Sequence, residues 1–157
     1  MAYNYEGAKG SFEFFENGFD QFIKVYNDTG AAVTNGDVYF LSFLKDADSL
    51  SPSARPTLDA AATTTVYRQV VIVNNAPKGL DTIADTAWGY VQIRGYCPKV
   101  KAASTVAIDD FLQGTNATQE AADDGTTITA DSFGLAVTAT VSSFCEAILF
   151  GERSLIG

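Results

Sequence analysis

There is no histidine in this 157-residue chain. That removes His-based catalytic triads, His-ligated zinc and the usual proton shuttle at neutral pH. Cysteine is scarce: Cys97 and Cys145 alone make no disulfide framework and no metal-binding spacing. Basic residues are few, ten against nineteen acidic, for a net charge of −9. Contact with a nucleic-acid backbone needs clustered Lys and Arg, and the densest pair here is Lys99 with Lys101. Neither a nucleic-acid partner nor an anionic membrane surface is therefore expected. No apolar run is long enough to span a bilayer, and no basic segment leads into an apolar core at the start. The expected setting is a cytosol, where both cysteines stay reduced as small core residues. Phosphate-loop and nucleophile-elbow motifs are missing as well. Charged residues make up 18% of the chain, below the usual ~25%, which fits a protein that hides surface against partners.

What is present is strand signal. Trp88-Gly-Tyr-Val-Gln-Ile-Arg-Gly-Tyr96 alternates strictly, the mark of a β-strand. One face carries Val91 and Ile93 with Gly89, Gly95 and Cys97, and suits a core. The other carries Trp88, Tyr90, Gln92, Arg94 and Tyr96, a mix enriched in protein contact patches. The glycines let another backbone pass close or place a bulge. The competing reading buries this strand on both faces.

Residues 1–20 form an arm rich in aromatics and glycine, including Tyr3, Tyr5, Phe12, Phe14 and Phe15. Such a segment is sticky in water and is expected to dock, on its own body or on a neighbour. Residues 21–157 read as a single β domain. Gln21–Tyr26 is a strand, followed by turns at Asn27–Gly30 and Thr34–Asp37. Val38–Leu44 is apolar enough to be covered on both faces. Residues 45–63 contain Pro52 and Pro56 and read as a long surface loop with a helical turn near Leu58–Ala62. Thr64–Val73 is a β-branched strand, Asn74–Gly79 a turn, and residues 80–87 a link. Lys99–Ala107 pairs locally and Asp109-Asp110 turns the chain. Residues 113–125 are a polar loop, Thr126–Thr129 a short strand, and Gly134–Val141 with Phe144–Phe150 a hairpin about Ser142-Ser143. On the last strand Glu146 needs a partner, with Arg68 or Arg94 as candidates. The fold class is all-β, a small barrel or sandwich.

Chemistry is limited to acidic doublets: Asp46/Asp48, Asp109/Asp110 and Asp123/Asp124. Two carboxylates flanking a sugar would make a glycosidase pair, but these sit where turns want Asp for backbone reasons. Asp123-Asp-Gly125 falls short of the ligand set of a calcium loop. Asn27-Asp-Thr29 and Asn116-Ala-Thr118 match the glycosylation sequon and are read as turn residues. No catalytic residue, cofactor or metal is expected.

The Trp88–Gly95 strand, then Val100–Leu112 with its Asp109-Asp110 turn, then Ala130-Asp-Ser-Phe-Gly-Leu-Ala136, then Ala147-Ile-Leu-Phe150, form a succession that resembles the head-decoration (cement) proteins of tailed bacteriophages. In their pattern a GWVQV.G strand precedes a G/D-D-x-L turn, an FG-x-A strand and a hydrophobic terminal strand. The resemblance spans roughly residues 66–151; the usual turn Gly is replaced by Asp109. It implies a virion protein on the capsid surface, assembled in the host cytoplasm, a homotrimer with the major capsid protein as partner. The contact residues expected are Tyr3, Tyr5, Phe12, Phe14, Phe15, Trp88, Tyr90, Arg94 and Tyr96. The alternative is a carbohydrate- or receptor-binding β domain of a phage tail or fibre, using its exposed aromatics.

Overall fold

A computed structural model describes residues 2–5, 12–17, 19–42, 56–59, 69–115 and 118–151, the first two segments as backbone. The fold is all-β, and no α-helix occurs among the described residues. The strands are β1 (Ala2–Tyr5), β2 (Phe12–Asn17), β3 (Asp20–Tyr26), β4 (Val33–Thr34), β5 (Val38–Ser42), β6 (Thr57–Asp59) and β7 (Val70–Val73). They continue as β8 (Thr82–Ile83), β9 (Trp88–Lys101), β10 (Phe111–Gly114), β11 (Ala121–Asp123), β12 (Ser132–Ala136) and β13 (Phe144–Phe150).

The main sheet runs β1-β2-β3-β6-β5-β7-β9-β13-β12-β10-β11, and β3 also pairs with β9. That extra pairing closes β3, β6, β5, β7 and β9 into a ring. Sequence reading offered a barrel or a sandwich, and the chain combines the two: a small closed barrel whose longest strand runs on into a second layer. Full closure removes edges from the barrel.

Two cores follow from this arrangement. Inside the ring lie Ile23, Val25, Tyr39, Leu41, Leu58, Val71, Val73, Val91 and Ile93. The β4–β8 ribbon pairs Val33 with Ile83 and adds both to this cluster. Between the barrel wall and the second layer lie Val38, Phe40, Val70 and Ile72 against Cys97, Val100, Leu112, Ala136, Cys145, Ala147 and Leu149. β5 and β7 thus send alternate residues into different cores, which explains their unbroken apolar runs. Burying each such aliphatic contributes about 1.5–3 kcal/mol.

β9 makes the two-layer design possible. Its pairing with β3 slips between Gln21 and Phe22, and Gly95 has φ 92°. A bulge with a left-handed glycine bends a strand sharply, so the first half of β9 walls the barrel and the second half joins β13. A second bulge opposes Pro98 and Lys99 to Glu146 alone, because Cys97 pairs with Ala147 and Val100 with Cys145. Pro98 has no N–H to give, and a bulge is where a strand tolerates it. β9 therefore continues to Lys101, where sequence reading had ended the strand at Tyr96.

Several local expectations are corrected. Leu58 is in β6, fully buried, not in a helical turn; barrel closure overrides its helix-forming neighbours. Residues 121–123 form β11 rather than loop, because Ala121 is buried in the second core. Thr126–Thr129 is not a strand; the Thr129 hydroxyl is held by Asp124 instead. The hairpin before β13 is present, but β12 ends at Ala136. Ser142 and Ser143 have φ 52° and 68°, the double left-handed pair of a tight two-residue hairpin turn. Asp109 has φ 69°, the conformation that a glycine would favour and that Asp tolerates. The sequence expectations for residues 43–55 and 60–68, including most of the long loop and Arg68, lie outside the described residues.

Candidate interaction surface

The mixed face of β9 does not behave as one surface. Its first half is tied down. Trp88 is half-buried, its ring edge-on to Tyr26 at 5.4 Å with the Lys24 ammonium 5.7 Å from the indole. Tyr90 is half-buried too. Gln92, expected on the contact face, is fully buried. Its Nε2 donates to the carbonyls of Arg94 at 3.0 Å and Tyr96 at 2.9 Å. Its Oε1 accepts from Asn74 Nδ2 at 2.9 Å. The amide thus serves two carbonyls at the bend, on either side of Gly95.

Beyond the bend the face opens. Arg94 is exposed, and its stem lies over Gly151, whose Cα hydrogens face it at a distance where a Cβ would meet Arg94 Cδ at 3.3 Å. Tyr96 is 44% exposed. Its hydroxyl donates to Glu146 Oε2 at 2.8 Å, so among the described residues a phenol partners Glu146; Arg68, one of the two arginines expected, lies outside them. That bond and the neighbouring carboxylate raise the Tyr96 pKa above its ordinary value. Directly opposite Tyr96 stands Ile148, then Leu135, then Phe111, one apolar row across four strands. Phe150 stands beside this row, 6.0 Å from the Phe111 ring.

The N-terminal aromatics sit on the hairpin β1–β2. Tyr3 pairs with Phe14 and Tyr5 with Phe12, and Phe14 pairs with Ile23. Those four register positions share one face of the sheet, the face of Ile23. Phe15 pairs with Phe22 and is on the other.

Sequence reading missed two exposed apolar turn residues, Ile108 and Val141, and placed a third, Phe19, in the aromatic arm of residues 1–20. Phe19, between β2 and β3, is 84% exposed, and its carbonyl lies against Gly95. Ile108 and Val141 are 60% and 72% exposed. Their turns meet at one end of the second layer, where Thr140 N–H donates to the Val106 carbonyl at 3.0 Å and its Oγ1 to Ala103 O at 2.8 Å. The signal available for Ile108 and Val141 was an isolated β-branched residue within each turn segment.

Of the carboxylates considered for catalysis, Asp110 and Asp124 serve turns, and Asp46 and Asp48 lie outside the described residues. Asp110, mostly buried, accepts from the Ala107 N–H at 2.7 Å. Asp124 accepts from Ser132 Oγ and Thr129 Oγ1. Asn27 of the first sequon is fully buried, its amide donating to Ala31, Ile83 and Ala84 carbonyls. Both cysteines are free and buried; burial pushes the Cys97 thiol up to about 12 and Cys145 up to about 11, so neither offers a thiolate nucleophile.

No family model and no curated protein matches the chain. Among solved structures, the fold is similar to the N base of the head fibre gp8.5 of bacteriophage phi29, with a TM-score of 0.51. The likeness covers 82% of this chain and 92% of that one at 15% identity.

Proposed function

We propose that this chain is a non-enzymatic structural protein of a tailed-phage virion, seated on the outside of the head. The observation that supports this reading is a fold similar, over 82% of this chain, to that of the base of a head fibre. The order of strands and turns that resembles the decoration proteins points the same way. Within this reading the chain works by mass action: a protein that binds only the assembled shell stabilises that shell. Many weak contacts on a symmetric lattice add through multivalency.

The partners proposed are the major capsid protein and further copies of the chain, as a homotrimer. The aromatic hairpin β1–β2 and the exposed turn residues Phe19, Ile108 and Val141 are the contacts assigned to seating. The barrel ring closes without the hairpin, so closure of the barrel does not depend on what the hairpin contacts.

The test is addition of purified protein to particles stripped of it, with bound copies counted by quantitative mass spectrometry and located by electron microscopy. Saturable binding at symmetric head positions is expected, weakened by deletion of residues 1–15. Absence from purified particles, or a location confined to the tail, refutes the head assignment. Light scattering that shows a monomer, both free and on the shell, refutes the trimer.

A further inference from the structure

We propose that Arg94, Tyr96 and Glu146 form a carbohydrate-binding platform, which takes a pyranose ring of a short oligosaccharide on the open face of Tyr96. The proposal is independent of where on a virion the protein sits.

Three observations carry it. First, the Tyr96 hydroxyl is already engaged with Glu146 while the residue stays 44% exposed. Tyr96 thus presents a ring whose orientation the hydroxyl bond fixes, an apolar plate with a polar rim of the kind that sugar C–H faces cover. Second, the plate is bracketed. Arg94 is two residues back on β9 and stands opposite Phe150 as Tyr96 stands opposite Ile148, so the two share a face by register. Glu146 is two residues before Ile148, the residue opposite Tyr96, and so stands on the other side. The row reads guanidinium, ring, carboxylate. Arg94 can supply N–H donors from one end, and at the other Glu146 has a second carboxylate oxygen beside the Oε2 that holds Tyr96. Alternating hydroxyls of a sugar need donors and acceptors flanking an apolar plate, and small-molecule sites are built from such few polar groups around aromatic surface.

Third, each member is held in place. The Arg94 stem rests on Gly151. The Tyr96 N–H donates to Asp20 Oδ1 at 3.1 Å. The Glu146 N–H donates to Thr138 Oγ1 at 2.9 Å. Pre-ordering of this sort lowers the entropy cost of binding. The centre of a protein–protein patch is depleted of charge; this row keeps one charge at each end of its ring. Trp88 and Tyr90 are excluded from the platform because both are half-buried. Arg94 further suits a carboxylate-bearing sugar at its end of the row.

Saturation-transfer NMR on the full chain with maltotriose, chitotriose and trigalacturonate tests the proposal. Transfer to the ring protons of at least one sugar is expected, with millimolar affinity. Tyr96→Ala should weaken that binding by about tenfold or more, and Tyr96→Phe, which keeps the plate, by less. Arg94→Ala should weaken trigalacturonate more than the neutral sugars. Thermal melts establish that each variant is folded; if Tyr96→Ala is not, Tyr96→Phe and Arg94→Ala carry the comparison. No transfer from any of the three sugars at about 10 mM overturns the proposal. So does binding indifferent to these substitutions. Self-association that depends on Tyr96, seen by analytical ultracentrifugation without sugar transfer, overturns it in favour of a protein contact.

Discussion

Gly95 lies against the main chain of Asp20: a Cβ placed on Gly95 would stand 2.8 Å from the Asp20 Cα. At the same point φ is 92°, and β9 leaves the barrel for the second layer. Two separate costs thus meet any side chain here, a left-handed backbone and a contact with backbone that has little room to yield. Gly95→Ala is expected to destabilise the fold by about 2–4 kcal/mol, read as a lower urea midpoint. An unchanged midpoint would show that the bend is not the hinge between layers. Gly89→Ala tests a clash without left-handed strain. There a Cβ would meet the buried Ile83 side chain at Cγ1, 2.4 Å, and at Cδ1, 2.5 Å, so a core side chain must shift, and a loss of about 1–3 kcal/mol is expected.

The buried amide of Gln92 is the second test. Its removal leaves the Arg94 and Tyr96 carbonyls without the donor they have now. A buried polar group left without its partner costs about 1–3 kcal/mol. Gln92→Leu, close in volume, is expected to lose about 2–4 kcal/mol on that basis. Coupling with Asn74→Ala in a double-mutant cycle should exceed about 0.5 kcal/mol. A neutral Gln92→Leu would mean that water serves these carbonyls.

Stability at alkaline pH follows from the two thiols. Both have folded pKa values above the ordinary 9.0, about 12 for Cys97 and about 11 for Cys145, raised chiefly by burial. Above pH 9 the unfolded chain gives up thiol protons that the folded chain keeps. Unfolding then becomes easier as pH rises. The contribution is whole below pH 9 and is lost progressively towards pH 11–12. Denaturant midpoints should fall over that range, and less steeply in Cys97→Ala with Cys145→Ala. Tyr39 and Tyr96, also raised, act in the same direction above pH 10, so the slope is reduced rather than abolished. Native protein should also react slowly with a thiol reagent at pH 8. Rapid labelling without unfolding would contradict the burial of both groups.

Trp88 and Arg94 should separate. Trp88 packs on Tyr26 and under Lys24, so Trp88→Ala is expected to cost about 1–3 kcal/mol of fold stability. Arg94 is exposed, so Arg94→Ala should leave the melting temperature within a degree or two. Any loss of binding in Arg94→Ala is then a direct effect. Equal destabilisation by the two would remove the distinction between the halves of β9.

Alternation along Trp88–Tyr96, the apolar run at Val38 and the paired serines at 142 and 143 were legible because each is local. A period of two states which side chains share a face, and a turn needs only its own residues. All-β class, the inward face of β9 and the two small buried cysteines follow from that much. Closure of the barrel does not, because pairing of β3 with β9 joins residues far apart in sequence, and no local pattern encodes which strands meet. The fate of Gln92 was decided there. By period it belongs with Tyr96, but the bend at Gly95 turns two carbonyls onto it and draws it inside. The partner of Glu146 was decided the same way, by a bulge that puts it within reach of Tyr96. Sequence alone determined which residues alternate, turn and avoid water. Tertiary structure decided which of two similar faces remains open, because bulges change the direction of a strand without changing its pattern.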